Sequence, residues 1–230
     1  MEWSAAARYV RGVSYTGNVA VGGPAAVHEL SALSISKLAV GPYENNAYLL
    51  RCTATGRQVL LDAAADAPAL LDLIGADGID AVVTTHGHKD HWQALADVLA
   101  ATGAEHLAHA DDAGDIGVPV TRTLAEGDEV AVGDARLRVI HLVGHTPGSI
   151  ALVYDDPTGA PHLFTGDSLF PGGVGNTWGD ADRFATLYSD VVAKLFDVLP
   201  DETWVYPGHG KDTTLGAERP HLAEWRDRGW

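Results

Sequence analysis

A single cysteine, Cys52, stands in 230 residues, which excludes an internal disulfide and any cysteine-rich zinc module. Lodged beside Leu49 and Leu50, it reads as a small core residue rather than a reactive thiol. Positive charge is scarce as well: 15 Lys and Arg face 31 Asp and Glu, a formal net charge of −16. Such a surface repels phosphate backbones, and with no basic run to offset it, nucleic acid is not an expected partner. No segment approaches the ~20 apolar residues of a membrane span. Arg8 and Arg11 fall where a signal peptide would need an unbroken apolar stretch. The expectation is a cytoplasmic protein with a small-molecule substrate and no membrane partner.

With 46% hydrophobic residues, the chain can bury roughly 70–75% of its unfolded surface in one domain. Residues 1–30, rich in Gly and Ala and weakly patterned, read as an N-terminal extension of unclear role; residues 31–230 read as the domain. ISKLAV (35–40), NAYLLRC (46–52) and RQVLLDA (57–63) are short apolar runs separated by turn residues, as in consecutive antiparallel strands. A helix is predicted over 68–74, then a β-branched strand over 79–85, then a helix over 92–101 stopped by Gly103. The second half predicts strands at 136–143, 149–156, 162–167 and 203–210. Apolar positions 184, 187, 188, 191, 192, 195, 196 and 199 form a helix stripe closed by Pro200. Strands followed by helices in both halves imply sheets covered by helices.

The segment TTHGHKDHWQAL (84–95) places three histidines and an aspartate within six residues, at the end of a buried strand. His145 in LVGHTPGS, Asp167 in LFTGDSLF and His209 in VYPGHG share that context, each in a Gly-containing turn after an apolar run. Strand ends at one sheet edge are where loops gather distant side chains into one site. Adjacent Asp90 and His91 cannot point one way in a regular element, but an irregular loop can turn them toward two neighbouring ions. Imidazole and carboxylate donors suit zinc, and also iron or manganese. His28, His106, His109, His141, His162 and His221 are expected to be ordinary surface residues. Asp62 is expected to accept hydrogen bonds from backbone amides rather than to bind metal.

The order H-x-H-x-D-H followed by His, Asp and His resembles the metallo-β-lactamase superfamily over about residues 31–210. The resemblance implies an α/β fold, a four-layer αβ/βα sandwich with a metal site at one edge of its two sheets. It also implies that His86, His88 and His145 hold one metal, Asp90, His91 and His209 a second, and that Asp167 bridges them. A bridging aspartate marks the glyoxalase II, lactonase, RNA-processing and persulfide dioxygenase branches rather than the antibiotic-hydrolysing one.

Two divalent ions, most simply zinc, would share a hydroxide oriented by Asp90 and Asp167, a nucleophile for thioesters or related activated esters. GDSLFPGGVGNTWGD (166–180) resembles the corresponding glyoxalase II segment, with two departures. Asn176 stands where that branch carries a Lys or Arg that binds glutathione, and only 21 residues follow His209. The expectation is therefore a glyoxalase II-like metallo-hydrolase without strict need for glutathione. The alternative is a mononuclear iron persulfide dioxygenase using His86, His145 and Asp167, then a lactonase. Tyr43, Phe170, Asn176 and Trp178 adjoin the ligands as candidate substrate walls, while Lys89 and Lys211 flank ligands and could receive an anionic group.

Overall fold

The computed structural model describes residues 15–229. Its first sheet runs in sequence order: β1 (Ala26–Glu29), β2 (Leu33–Val40), β3 (Asn45–Cys52), β4 (Gln58–Leu61), β5 (Ala81–Val83), β6 (Glu105–His109) and β7 (Arg122–Leu124). The hairpin half, β1 to β4, is antiparallel; β4 to β7 are parallel. The parallel half needs crossovers, two of which carry α1 (Ala67–Ile74) and α2 (Leu95–Thr102). In the second sheet β8 (Glu129–Val132), β9 (Ala135–His141), β10 (Ile150–Tyr154) and β11 (His162–Gly166) form a meander. After a small hairpin of β12 (Leu169–Phe170) and β13 (Gly173–Val174), α3 (Ala181–Val191) runs on through a widened turn to Phe196. The chain then returns as β14 (Trp204–Pro207), parallel to β11, and β15 (Thr213–Thr214), before α4 (Leu215–Glu218) and α5 (Leu222–Arg228).

Side-chain alternation sorts the strands into layers. Ile35, Leu50, Val59, Leu61 and Val83 meet Leu137, Val139, Leu152, Phe164 and Tyr206 between the sheets. The opposite faces pack on helices: Leu49, Leu60 and Val82 against Leu70, Leu95 and Val98, and Ala151, Val153 and Leu163 against Leu187, Val191 and Trp225. This is the expected four-layer αβ/βα sandwich, and Cys52 lies in its inter-sheet core at 1% exposure.

Three expectations change. Residues 26–29 supply the edge strand β1, and Tyr15 stacks on His28 at 4.4 Å, so the segment before residue 31 belongs to the sandwich from Tyr15 onward. Residues 1–14 lie outside the described residues. His106, His109 and His162 are buried rather than superficial, because each ring finds a polar partner inside. His106 meets the Thr84 hydroxyl, His109 accepts from the Asp111 amide, and His162 shares the Tyr206 hydroxyl with His28. Strands β6 to β8 were not anticipated; they are only three to five residues long, too short to show a period.

Candidate metal centre

Every expected ligand follows the C-terminal end of a strand. His86 to His91 leave β5, His145 leaves β9, Asp167 leaves β11 and His209 leaves β14. The loops are tied together at the backbone: the Gly208 amide donates to Gly166 O at 2.8 Å, and the Asn46 amide to Gly208 O at 2.8 Å. Gly208 sits where a Cβ would collide with the Asp167 carboxylate and the His91 ring, so the close approach of these loops requires glycine there.

The seven side chains converge in overlapping groups. Donor atoms of His86, His88 and His145 lie within 4.8 Å of one another, as do those of Asp90, His91 and His209, and those of His86, His91 and Asp167. Asp167 stands between the two sides, its Oδ1 3.3 Å from His91 Nε2 and its Oδ2 3.6 Å from His145 Nε2 and 3.5 Å from His209 Nε2. The rings of His86, His88 and His145 cross at 72–88°, turning their lone pairs toward a common point.

For three of the rings the outer nitrogen has a partner that fixes the ring, the usual support of a metal-bound imidazole. His91 Nδ1 meets Asp62 at 2.8 Å, His145 Nδ1 meets Asn176 O at 2.9 Å, and His209 Nδ1 meets Tyr43 O at 2.9 Å. The inner atoms His91 Nε2, His145 Nε2 and Asp167 Oδ1 are buried without a hydrogen-bond partner. Buried polar atoms are normally satisfied, so these orphans pointing at one another fit a cation site. A fourth group, His109, Asp111 and His141, differs: its rings stack at 3.9 Å and 23°, so their lone pairs run side by side instead of converging.

The electrostatics point the same way. Burial pushes the His86 imidazole well down and brings His145 to about 4, keeping both neutral. Burial also opposes charge on His91 and His209, but carboxylates outweigh it. Asp167 and Asp62 hold His91 well above its ordinary range, and hydrogen bonds to Asp167 and Asp90 raise His209 to about 10. The hydrogen bond from His209 is the largest cause holding the Asp90 carboxyl below its usual range. The donor set thus demands positive charge, which protons or divalent cations can supply.

Around this centre the candidate wall residues divide. Trp178, 57% exposed, stacks beside His145 at 5.4 Å, crosses His88 at 5.3 Å, and lies 4.9 Å from the Arg183 guanidinium. The Asn176 side chain accepts the Trp178 amide at 2.7 Å, supporting the positive φ of 54° at Trp178. Phe170 lies 6.4 Å from the His209 ring, and Tyr43 exposes its own ring while binding His209 through its carbonyl. Lys89 and Lys211 are exposed and form no ion pair among the described residues; Lys211 borders a separate cavity of about 200 Å³ with Asn18, Ala39 and Glu44.

Sequence reasoning missed several supporting residues. Asp62 does accept the Thr85 amide, as expected, but its other oxygen also fixes His91. Asn45 donates to Asp90 at 3.0 Å, and buried Asp112 takes the Gly87 amide between His86 and His88 at 2.7 Å. A polar Asn-Asn pair opening an apolar strand signals the first; nothing local marks the second.

Residues 40–209 match the model of the metallo-beta-lactamase superfamily. A hydroxyacylglutathione hydrolase of Rhodospirillum rubrum is 37% identical over 182 residues, 78% of this chain and 67% of that protein. For two relatives of the same name, from Fuscovulum blasticum and Polaromonas, the chain spans 62% of their length. Among solved structures, TTHA1623 in a di-iron-bound form is 34% identical, with a TM-score of 0.66 over 80% of this chain and 96% of that one. The BLEG-1 B3 metallo-beta-lactamase is 26% identical, with a TM-score of 0.73 over 83% and 99%. With its layers, its seven convergent donors and these likenesses, the chain belongs to the metallo-beta-lactamase superfamily.

Proposed function

We propose that this protein is a two-metal hydrolase of small thioesters or related activated esters. The observation that carries the reading is the set of unpartnered buried donor atoms aimed at one another across Asp167. His86, His88 and His145 would hold one ion, Asp90, His91 and His209 a second, and Asp167 both. When bound, such ions supply a nucleophile at neutral pH from water and polarise a carbonyl oxygen. Zinc is the metal we propose; iron and manganese suit the same donors, and one 34% identical relative is of a di-iron-bound form.

The chain's own residues supply the rest. Asp90 and Asp167 face the shared space as carboxylates, able to accept and direct a water's hydrogens. Trp178 forms an apolar shelf beside His145 and His88, and Phe170 closes the His209 side. No serine or cysteine nucleophile is required: Cys52 is buried between the sheets.

The relatives' name supports a thioester, whereas Asn176 argues against strict glutathione recognition. Its side chain is engaged by the Trp178 amide and carries no charge for a substrate carboxylate. A missing charge-assisted contact weakens binding by about 1.5–3 kcal/mol, roughly 10- to 150-fold. No helix among the described residues is long and apolar enough to cross a membrane. A cytoplasmic location, a small-molecule substrate and no nucleic-acid partner complete the proposal, the last supported by the net charge of −16.

The test is a series of thioesters sharing one acyl group but differing in thiol, assayed beside oxygen uptake with glutathione persulfide. Cleavage of several members at comparable rates is expected. Oxygen consumption without thioester cleavage would overturn the hydrolase reading in favour of the iron dioxygenase, and a strong preference for the glutathione thioester would overturn the relaxed specificity.

A further inference from the structure

A charged side chain breaks the apolar pattern of the inter-sheet core. Alternation along β2 puts Leu33, Ile35 and residue 37 on the face turned to the second sheet, and residue 37 is a fully buried lysine. A buried ammonium is tolerated only when paired and hydrogen-bonded. Here all three protons are used: Lys37 Nζ donates to Gly17 O at 2.9 Å, Gly210 O at 2.7 Å and Asp212 Oδ1 at 2.6 Å. Asp212, its side chain 2% exposed, also accepts from the Tyr15 hydroxyl at 2.7 Å and from Trp204 Nε1 at 3.0 Å.

Stability alone is a poor reason for such a pair, since well-packed apolar replacements of buried ion pairs are often neutral or stabilising. Its location is more informative. Gly210 and Asp212 lie one and three residues beyond His209, on the loop that presents that ligand. The same loop is also held by the neighbouring strand: Pro207 O accepts from Asn46 and Tyr48, and Gly210 O accepts from Asn46 as well as from Lys37. The loop is thus gripped at its carbonyls by β2 and β3. From the N-terminal side, Tyr15 and Gly17 close over the buried pair.

We propose that Lys37 and Asp212, completed by Tyr15 and Gly17, are positioning residues that set the affinity of the second metal through the His209 loop. The proposal rests on the two-metal reading above. Outer supports of metal ligands typically govern 10- to 100-fold in metal affinity. Gly17 offers a second probe: at its φ of 67° an alanine is strained, and its Cβ would collide with the Asp212 carboxylate and force it to shift.

The test is a zinc titration of the untagged, metal-stripped full chain against a chromophoric chelator. Wild type is compared with Gly17→Ala, Tyr15→Phe and the double variant Lys37→Met/Asp212→Asn, with thermal midpoints measured in parallel. The expected result is a first equivalent bound as in wild type and a second bound about 10- to 100-fold more weakly in the double variant, with Gly17→Ala intermediate. Should the double variant not fold, Gly17→Ala and Tyr15→Phe decide. A lowered thermal midpoint with both affinities unchanged, or a parallel loss of both, overturns the positioning role. A wild type that binds one zinc overturns the two-metal reading itself, and this proposal with it.

Discussion

Asp167 is enclosed by His91, His145 and His209, while Lys89, next to the proposed ligand Asp90, lies in solvent. The contrast gives a first prediction. Asp167→Ala should lose thioester cleavage by at least about 100-fold together with bound metal, whereas Lys89→Ala should retain most of both. Near-normal turnover and metal content in Asp167→Ala would remove its bridging role. Asp62 gives a second: its Oδ2 meets both the Thr85 hydroxyl and His91 Nδ1, at 2.8 Å each. Asp62→Asn keeps the shape, and asparagine tolerates the φ of 56°. The expected effect is a roughly 10- to 100-fold weaker second metal, read by chelator competition. The seven donors were legible because histidine and aspartate clustered in Gly-containing turns are rare without a ligand. The supports were less so, because Asp62 serves a backbone amide and a ring at once, and Asp112 is joined to the site only through folding.

Among the elements, the long strands β2, β3 and β9 and the stripe of α3 were readable from period and turn residues, and the five-residue β10 from its unbroken apolar run. The short parallel strands β5 to β7 depend on neighbours for their pairing, so the expected 79–85 overran β5 (Ala81–Val83) and β6 and β7 went unmarked. Helix α2 begins at Leu95 rather than at Trp92, because residues 89–91 form a tight turn that turns His91 inward. Loop crossings impose their own demands. At Gly208 a Cβ would meet Asp167 Oδ1 and the His91 ring, so Gly208→Ala should lower metal content with far-UV circular dichroism unchanged. Full metal loading in that variant would show that the loops can part without cost to the site.

For the whole molecule, a core of two sheets places several histidines in dry surroundings. Burial, then the neighbouring His28, brings His162 to about 4, below its unfolded value of about 6.5. The unfolded chain therefore binds the extra proton first as pH falls. The stability this group contributes is fully present above pH ~6.5 and is lost down to about 4, at about 1.4 kcal/mol per unit. Denaturant midpoints at successive pH values should show His162→Gln losing less stability than wild type as pH falls from about 6.5 to 4, the difference between the two curves being this group's share. The sandwich itself was legible through its ligand order rather than through hydropathy, since alternation assigns faces but does not say which two sheets meet. The central question is whether the centre works as a metal pair. The direct measurement is thiol release from a thioester by chelator-stripped protein as zinc is returned. Negligible cleavage is expected at the start, with a rise that levels off at about two equivalents. Cleavage undiminished by stripping, or complete at one equivalent, would contradict the metal pair.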